Sequence, residues 1–253
     1  MAESSPNQET ADSPIFVVLG ATGGIGSSLS RRLAASGAGL MLASRSEDSL
    51  QALAGEVGAE HAVVNATSFE QVESCIAATK DRFGRFNGIA CCVGSILLKP
   101  AHRTSRVEFD DVIATNLSSA FATVRAAARE LDPGGSIVLV GTAAAGVGLA
   151  NHEAIAAAKA GVTGLARSAA ATYASRGIRV NVVAPGLVDT PLSARITSNE
   201  ASLEASKKMH PLGRIGQPED IASAIAWLLA PENSWVTGQV LAVDGGLGHV
   251  RPR

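Results

Sequence analysis

The sequence holds a single tyrosine, Tyr173, and aromatic residues fill only 4% of its 253 positions. Chemistry that needs a phenol hydroxyl therefore has one candidate. Cysteine is nearly as scarce, with three in all and two of them adjacent at Cys91 and Cys92. That excludes an ordinary disulfide framework, and no Cys/His grouping has the spacing of a zinc site, so no metal is expected. A reducing, cytoplasmic compartment is the expectation. Positive charge is nowhere concentrated: 21 Lys and Arg stand against 23 Asp and Glu, for a net charge of −2. Polyanions and anionic membranes are held by basic patches, so neither nucleic acid nor membrane is expected as a partner. Arg31, Arg32 and Arg45 come nearest to a cluster and suit one phosphate rather than a nucleic-acid surface. The stretch from Met1 to Pro14 is polar and acidic, with no arginine and no apolar run, which argues against a secretory signal, a membrane span or an organelle-targeting segment. Residues 1–13 are read as a disordered tail ahead of a single domain over 14–253.

What the chain does have is apolar bulk, 46% hydrophobic against 17% charged, ample for a core covered by helices on both faces. Ile15 to Leu19 is an unbroken β-branched and apolar run that stops at Gly20, the pattern of a strand buried on both faces. Similar runs recur at Gly39 to Ala43, Ala62 to Asn65, Gly88 to Cys92, Ser136 to Val140, Arg179 to Val183 and Val240 to Val243, with Ala-rich helical stretches between most of them. This alternation predicts an α/β, Rossmann-type, doubly wound fold with a seven-stranded parallel sheet flanked by helices. Ligands in such sheets sit beyond the carboxyl ends of the strands. No repeat, low-complexity block or linker divides the ordered part. From Asp189 to Pro218, Pro191, Pro211 and Pro218 interrupt short helical patterns, and the segment is either a lid or an ordinary helical excursion.

The turn after the first strand reads Gly20-Ala21-Thr22-Gly23-Gly24-Ile25-Gly26 and leads into a helical pattern starting near Ser27. Gly20 can make the tight turn, Gly24 lets a phosphate approach the backbone, and Gly26 lets helix and strand pack closely. A helix N-terminus then offers unpaired N–H groups to a pyrophosphate. With Asn116 in Thr115-Asn116-Leu117, Lys159 in Ala156-Ala157-Ala158-Lys159, Pro185-Gly186 followed by Thr190, and a closing Val243-Asp244-Gly245-Gly246, the chain resembles the short-chain dehydrogenase/reductases from about Ile15 to Gly246. The resemblance implies a nicotinamide cofactor held at Gly20, Thr22, Gly24, Ile25, Gly26, Asn65, Ala66, Gly94, Lys159, Pro185, Gly186, Val188 and Thr190. It also implies a homo-oligomer, a tetramer or a dimer.

Which dinucleotide is bound turns on the end of the second strand. An NAD-selective site usually places Asp or Glu there for the ribose hydroxyls, whereas this chain has Ser44 and then Arg45. A hydroxyl and a guanidinium hold a 2′-phosphate that a carboxylate would repel, so NADP(H) is the expected cofactor. Asn65 stands where the family often has an adenine-contacting Asp. The family's Asn-Asn-Ala-Gly stretch is represented by Cys91-Cys92-Val93-Gly94, of which only the glycine matches.

The family reduces carbonyls with a Ser and a Tyr on the substrate oxygen, a Lys one helical turn after the Tyr on the nicotinamide ribose, and an Asn holding a connecting water. Thr142 matches the Ser, and Lys159 and Asn116 match their counterparts. Four residues before Lys159 stands Ile155, which has no proton to donate. Tyr173 lies fourteen residues past Lys159, about 20 Å along a helix, too far to substitute. His152, seven before Lys159, is read in three ways: as the proton donor in place of tyrosine, as a substrate or cofactor contact, or as part of a helix start capped by Asn151 with Glu153 in its first turn. Glu153 is the weaker donor, because a carboxyl beside Lys159 stays ionised.

These residues point first to an NADP(H)-dependent reductase acting on a small hydrophobic carbonyl, activated alkene or imine, with an altered proton donor at His152 beside Asn116, Thr142 and Lys159. Two other readings stay open: a catalytically silent NADP(H)-binding protein, and a non-redox cyclase or isomerase on the same fold.

Overall fold

The computed structural model describes residues 13–251. The proposed tail therefore lies almost wholly outside the described residues. Seven strands, β1 (Ile15–Leu19), β2 (Gly39–Ser44), β3 (Glu60–Val63), β4 (Gly88–Cys91), β5 (Ser136–Val140), β6 (Arg179–Pro185) and β7 (Val240–Val243), form one sheet in the order β3-β2-β1-β4-β5-β6-β7. Every neighbouring pair is parallel. The predicted Rossmann-type architecture is the observed one. Strand order reverses between β1 and β4, so the crevice opens where Leu19 sits level with Ala43 on one side and Cys91 on the other.

Parallel neighbours need crossovers, and helices on both faces supply them. Helices α1 (Gly24–Ala35), α2 (Glu47–Val57) and α9 (Pro218–Leu229) bury Leu29, Leu53 and Ile225 against one face of the sheet. On the other face α3 (Phe69–Phe83), α5 (Ser119–Glu130) and α6 (Glu153–Tyr173) bury Ile76, Val124 and Val162. The alternation of a strand splits the paired cysteines: Cys91 packs in the second cluster and Cys92 against the first, as expected for adjacent strand residues. Helix ends carry conventional signals, with Ser68 capping α3, and Ser105 and Glu108 forming a capping box on α4 (Arg106–Ile113). A widened turn over Ala114–Ser118 joins α4 to α5 and carries Asn116. Arg179 reaches from β6 to the carbonyls of Leu228 and Leu229, satisfying the end of α9.

The structure moves two of the expected boundaries. The third strand is Glu60–Val63, not Ala62 to Asn65. As the edge strand it alternates half-buried with exposed residues, so Glu60 and His61 pair with Met41 and Leu42 without looking apolar. The first helix begins at Gly24, three residues before Ser27, because the glycine-rich turn is already helical after Gly23. The last helix-rich stretch resolves into α7 (Ala194–Thr197) and α8 (Glu200–Met209), which follow a short turn at Pro191–Ser193.

Candidate active site

The glycine-rich turn owes its shape to two close approaches. Gly20 has φ +77°, and a Cβ there would lie 3.0 Å from the backbone of Cys92 and Val93. A Cβ on Gly26 would fall 2.2 Å from the Gly20 carbonyl oxygen. No other residue allows both the left-handed turn and the contact between helix and strand. The resulting cleft, about 390 Å³, runs over Thr22, Gly24 and Ile25 to Ser44, Arg45, Asn65, Ala66 and Gly94, with Thr190, Pro191 and Leu192 on its far wall. Thr190 packs its methyl onto Gly24, where a Cβ would sit 2.7 Å away. The segment after β6 thus rests on the glycine turn.

Ser44 ends β2 buried, and its hydroxyl is 3.4 Å from the Ser46 carbonyl. Arg45 beside it is exposed and, among the described residues, has no ion-pair partner. Asn65 Oδ1 accepts from the Thr67 N–H at 3.2 Å and the Thr67 hydroxyl at 2.9 Å, leaving its NH₂ as the group with donors to spare. Val188 is different. Its side chain is buried in the core cluster of α1 and α9, its backbone bridges Gly216, and its carbonyl takes the Ser193 hydroxyl. The structure therefore does not place Val188 on the cleft wall; an apolar residue beside a family motif was read as a contact and is a core residue.

Behind Gly94 the polar groups converge. A Cβ on that glycine would lie 3.1 Å from Asn116 Oδ1 and 3.5 Å from Lys159 Nζ. Asn116 donates to the Ser95 hydroxyl at 2.9 Å and the Val112 carbonyl at 3.0 Å, while its Oδ1 accepts the Ser95 N–H at 3.2 Å. Both amide protons are spent, and the oxygen retains a lone pair. Lys159, buried on α6, donates to the Val140 carbonyl at 2.7 Å. Burial without a carboxylate partner brings its pKa down to about 8. Burial pushes the Cys92 thiol the other way, well above its ordinary value, so it stays protonated.

Beyond β5 and β6 lies a second cavity, about 220 Å³, where Thr142, His152 and Ile155 meet Pro185, Gly186 and Leu187. Ile96, Leu98, Met209 and Leu247 complete a mostly apolar wall. The Thr142 oxygen accepts the Ala144 N–H at 3.3 Å, which leaves its hydroxyl proton free to donate. His152 Nδ1 lies 2.8 Å from the Ala150 carbonyl; a carbonyl only accepts, so Nδ1 carries a proton and Nε2 is the exchangeable atom. Ile155 is buried beside Val112, Ala154 and Ala158.

The helix start differs from the capping expectation. His152, not Asn151, is the N-cap, its ring makes no capping bond, and Asn151 lies outside the helix at φ +64° with its carbonyl accepting the Lys99 N–H. Seven-residue spacing does not by itself set the ring beside Lys159. The Lys159 ammonium turns to β5 while the imidazole lines the apolar pocket with Thr142. Tyr173 ends α6 and lines a separate groove with Phe121 and Arg125. Sequence reasoning missed Pro191 and Leu192 on the wall of the glycine-turn cleft and His210 in the pocket, where a lone His before a Pro was the only visible signal.

Comparison with known proteins points the same way. A family model described as Enoyl-(Acyl carrier protein) reductase matches residues 20–248. The 3-oxoacyl-(acyl-carrier-protein) reductase FabG of Vibrio cholerae serotype O1 is 34% identical over 237 residues, 92% of this chain and 96% of its own. Among solved structures, a short-chain type dehydrogenase/reductase from Mycobacterium ulcerans superposes with a TM-score of 0.90 at 28% identity, covering 94% of this chain and 90% of that one. A single-substitution variant of actinorhodin polyketide ketoreductase with NADPH gives 0.89 at 28% identity, covering 95% and 99%.

Proposed function

This chain belongs to the short-chain dehydrogenase/reductase family, and on that footing we propose that it is an NADP(H)-dependent reductase of a small, uncharged, hydrophobic carbonyl, activated alkene or imine. When bound, the reduced nicotinamide supplies a hydride. Its fit rests on the glycine turn that packs Gly26 against the Gly20 carbonyl and sets the start of α1 at the cleft, and on Arg45 beside Ser44, without an ion-pair partner among the described residues, a hydroxyl and guanidinium suited to a 2′-phosphate. Asn65 would hold the adenine side, and Lys159 the nicotinamide ribose. Asn116 keeps one lone pair for a water between itself and Lys159.

The observation that carries the altered chemistry is the meeting of Thr142, His152 and Ile155 in one pocket. Thr142 donates its hydroxyl to the substrate oxygen. The His152 imidazolium, anchored through Nδ1 on the Ala150 carbonyl, gives its Nε2 proton to the developing alkoxide or enolate and is recharged from solvent. Conjugated alkenes and protonated imines are the favoured acceptors, because an enolate needs only stabilisation and an iminium brings its own acid. Among the described residues no lysine or arginine lines the cavity, so its wall sets no fixed cation against either a neutral carbonyl or an iminium.

The apolar burial of Ile155 favours one second reading, a silent or non-redox relative that binds NADP(H) without consuming it. Purified protein tested for NADPH oxidation against ketones, activated alkenes and cyclic imines, with Ile155→Tyr in parallel, separates the two. Turnover with stoichiometric product by the unmodified protein supports the reductase; binding without turnover, gained only by the variant, supports the silent relative. We also propose a cytoplasmic homo-oligomer, dimer or tetramer. No helix among the described residues is long and apolar enough to cross a membrane, and Phe121, Trp227 and Trp235 present exposed aromatic surface of the kind subunits cover.

A further inference from the structure

One imidazole fastens the helical cover of the substrate pocket. His210 follows α8, is 2% exposed, and commits both ring nitrogens to main chain. Nδ1 lies 2.6 Å from the Ser206 carbonyl, and Nε2 accepts the Leu187 N–H at 3.1 Å. A carbonyl can only accept and a backbone N–H can only donate, so Nδ1 bears the proton and Nε2 is bare. Only one tautomer of the neutral ring satisfies both. Leu187 belongs to the loop after β6, so this bond ties α8 to a segment 23 residues earlier in the chain. Packing reinforces the tie: a Cβ on Gly186 would fall 2.5 Å from Nε2. His210, Gly186 and Leu187 line both the substrate pocket and a neighbouring cleft of about 320 Å³ that reaches Asp244, which makes the ring a partition between them.

We propose that His210 is a positioning residue that latches α8 to Gly186 and Leu187 as the neutral imidazole, and that its protonation opens the latch over the substrate pocket. The inference rests on reading that cavity as the substrate site. An imidazolium would bring Nε2–H against the Leu187 N–H, two buried donors facing each other with no acceptor between them. None of the charged groups around the ring is hydrogen-bonded to it. Asp244, after β7, already holds the Gly246 N–H at 2.9 Å and the Gly248 N–H at 2.8 Å. Arg214 and Asp220, the latter on α9, are paired through two bonds at 2.6 and 3.0 Å. On its own element Lys207 is paired with Glu204, and Lys208 adds a second positive charge. Acidification therefore loosens Gly186 and Leu187 and raises KM for the pocket's substrate.

Amide hydrogen exchange over residues 187–212 of the full chain tests this without any turnover, so failure of the reductase reading and failure of the latch are distinguishable. Wild type, His210→Gln and His210→Leu would be compared near neutral pH and about two units lower. Glutamine keeps an oxygen near the place of Nε2 to accept the Leu187 N–H and does not titrate. After correction for intrinsic rates, wild type should lose about tenfold in protection on acidification, the size expected for one buried N–H left without an acceptor. His210→Gln should hold its protection at both pH values, and His210→Leu should be low at both. The same pH response in wild type and His210→Gln overturns the proposal, as does a His210→Leu variant as well protected as wild type. If His210→Leu fails to fold, the wild type and glutamine pair still decides it.

Discussion

At the carboxyl ends of β1, β2 and β4 the cleft is bounded largely by main chain: the turn at Gly20, the helix start at Gly24 and Gly26, and the backbone at Gly94. Beyond β5 and β6 the walls are side chains, with Thr142, His152, Ile155 and His210 each contributing one chemical group or withholding one. Both regions hang on the same sheet edge. They differ in what a substitution does: in the first it meets a fixed backbone a few ångströms away, and in the second it changes the chemistry while the fold persists. On the proposed reading, the cofactor side of such a site can stay intact while the group at the proton-donor position changes, as at Ile155.

The largest effect should come from breaking the backbone side. Gly26→Val places its Cβ 2.2 Å from the Gly20 carbonyl. Overpacking of this kind costs on the order of 1–3 kcal/mol even in yielding cores, and here no side chain can yield. NADPH binding by titration calorimetry should become undetectable in a protein whose sheet still forms by circular dichroism. Next, Arg45→Ala should weaken NADPH by roughly 10- to 100-fold, the worth of charge-assisted hydrogen bonds, and leave NADH nearly unchanged. Equal losses for both cofactors would mean that Arg45 does not read the 2′-phosphate.

A further effect, read in stability rather than binding, concerns Lys159. Its folded pKa, about 8, lies below the ordinary 10.5, so between those values the unfolded chain binds more protons. The stability contributed by this group therefore rises with pH across that window and is lowest below pH 8. Relative to Lys159→Met, wild type should gain up to about 3 kcal/mol between neutral pH and pH 10.5 in urea unfolding. Turnover should move the other way, falling above pH 8 as the ammonium discharges. A wild-type curve parallel to that of the variant would mean that Lys159 titrates as an exposed lysine.

The sheet was legible because its strands are apolar runs: Ile15–Leu19 and Ser136–Val140, largely buried, and Val240–Val243, partly exposed at the far edge, begin and end where those runs do. The edge strand β3 was misplaced because one-sided burial leaves a weaker pattern and lets Glu60 and His61 join the ladder. In the candidate site, glycines were legible through steric demands that act within a few residues. The turn of the Val188 side chain into the core was not legible, because motif spacing does not reveal which way a side chain turns. His210 was invisible, since its role depends on Leu187 and Gly186 far earlier in the chain. The seven-residue interval from His152 to Lys159 suggested a shared helical face, but the ring lies at the cap and reaches the pocket from there.

The central claim, that the substrate pocket supplies the proton through His152 where Ile155 cannot, is tested most directly by single-turnover NADPH oxidation in wild type and His152→Phe, with cofactor affinity measured in both. The account predicts unchanged NADPH affinity and a loss of about 100-fold or more in the chemical step for the variant, as expected on removing a general acid. Equal single-turnover rates in the two proteins would contradict it.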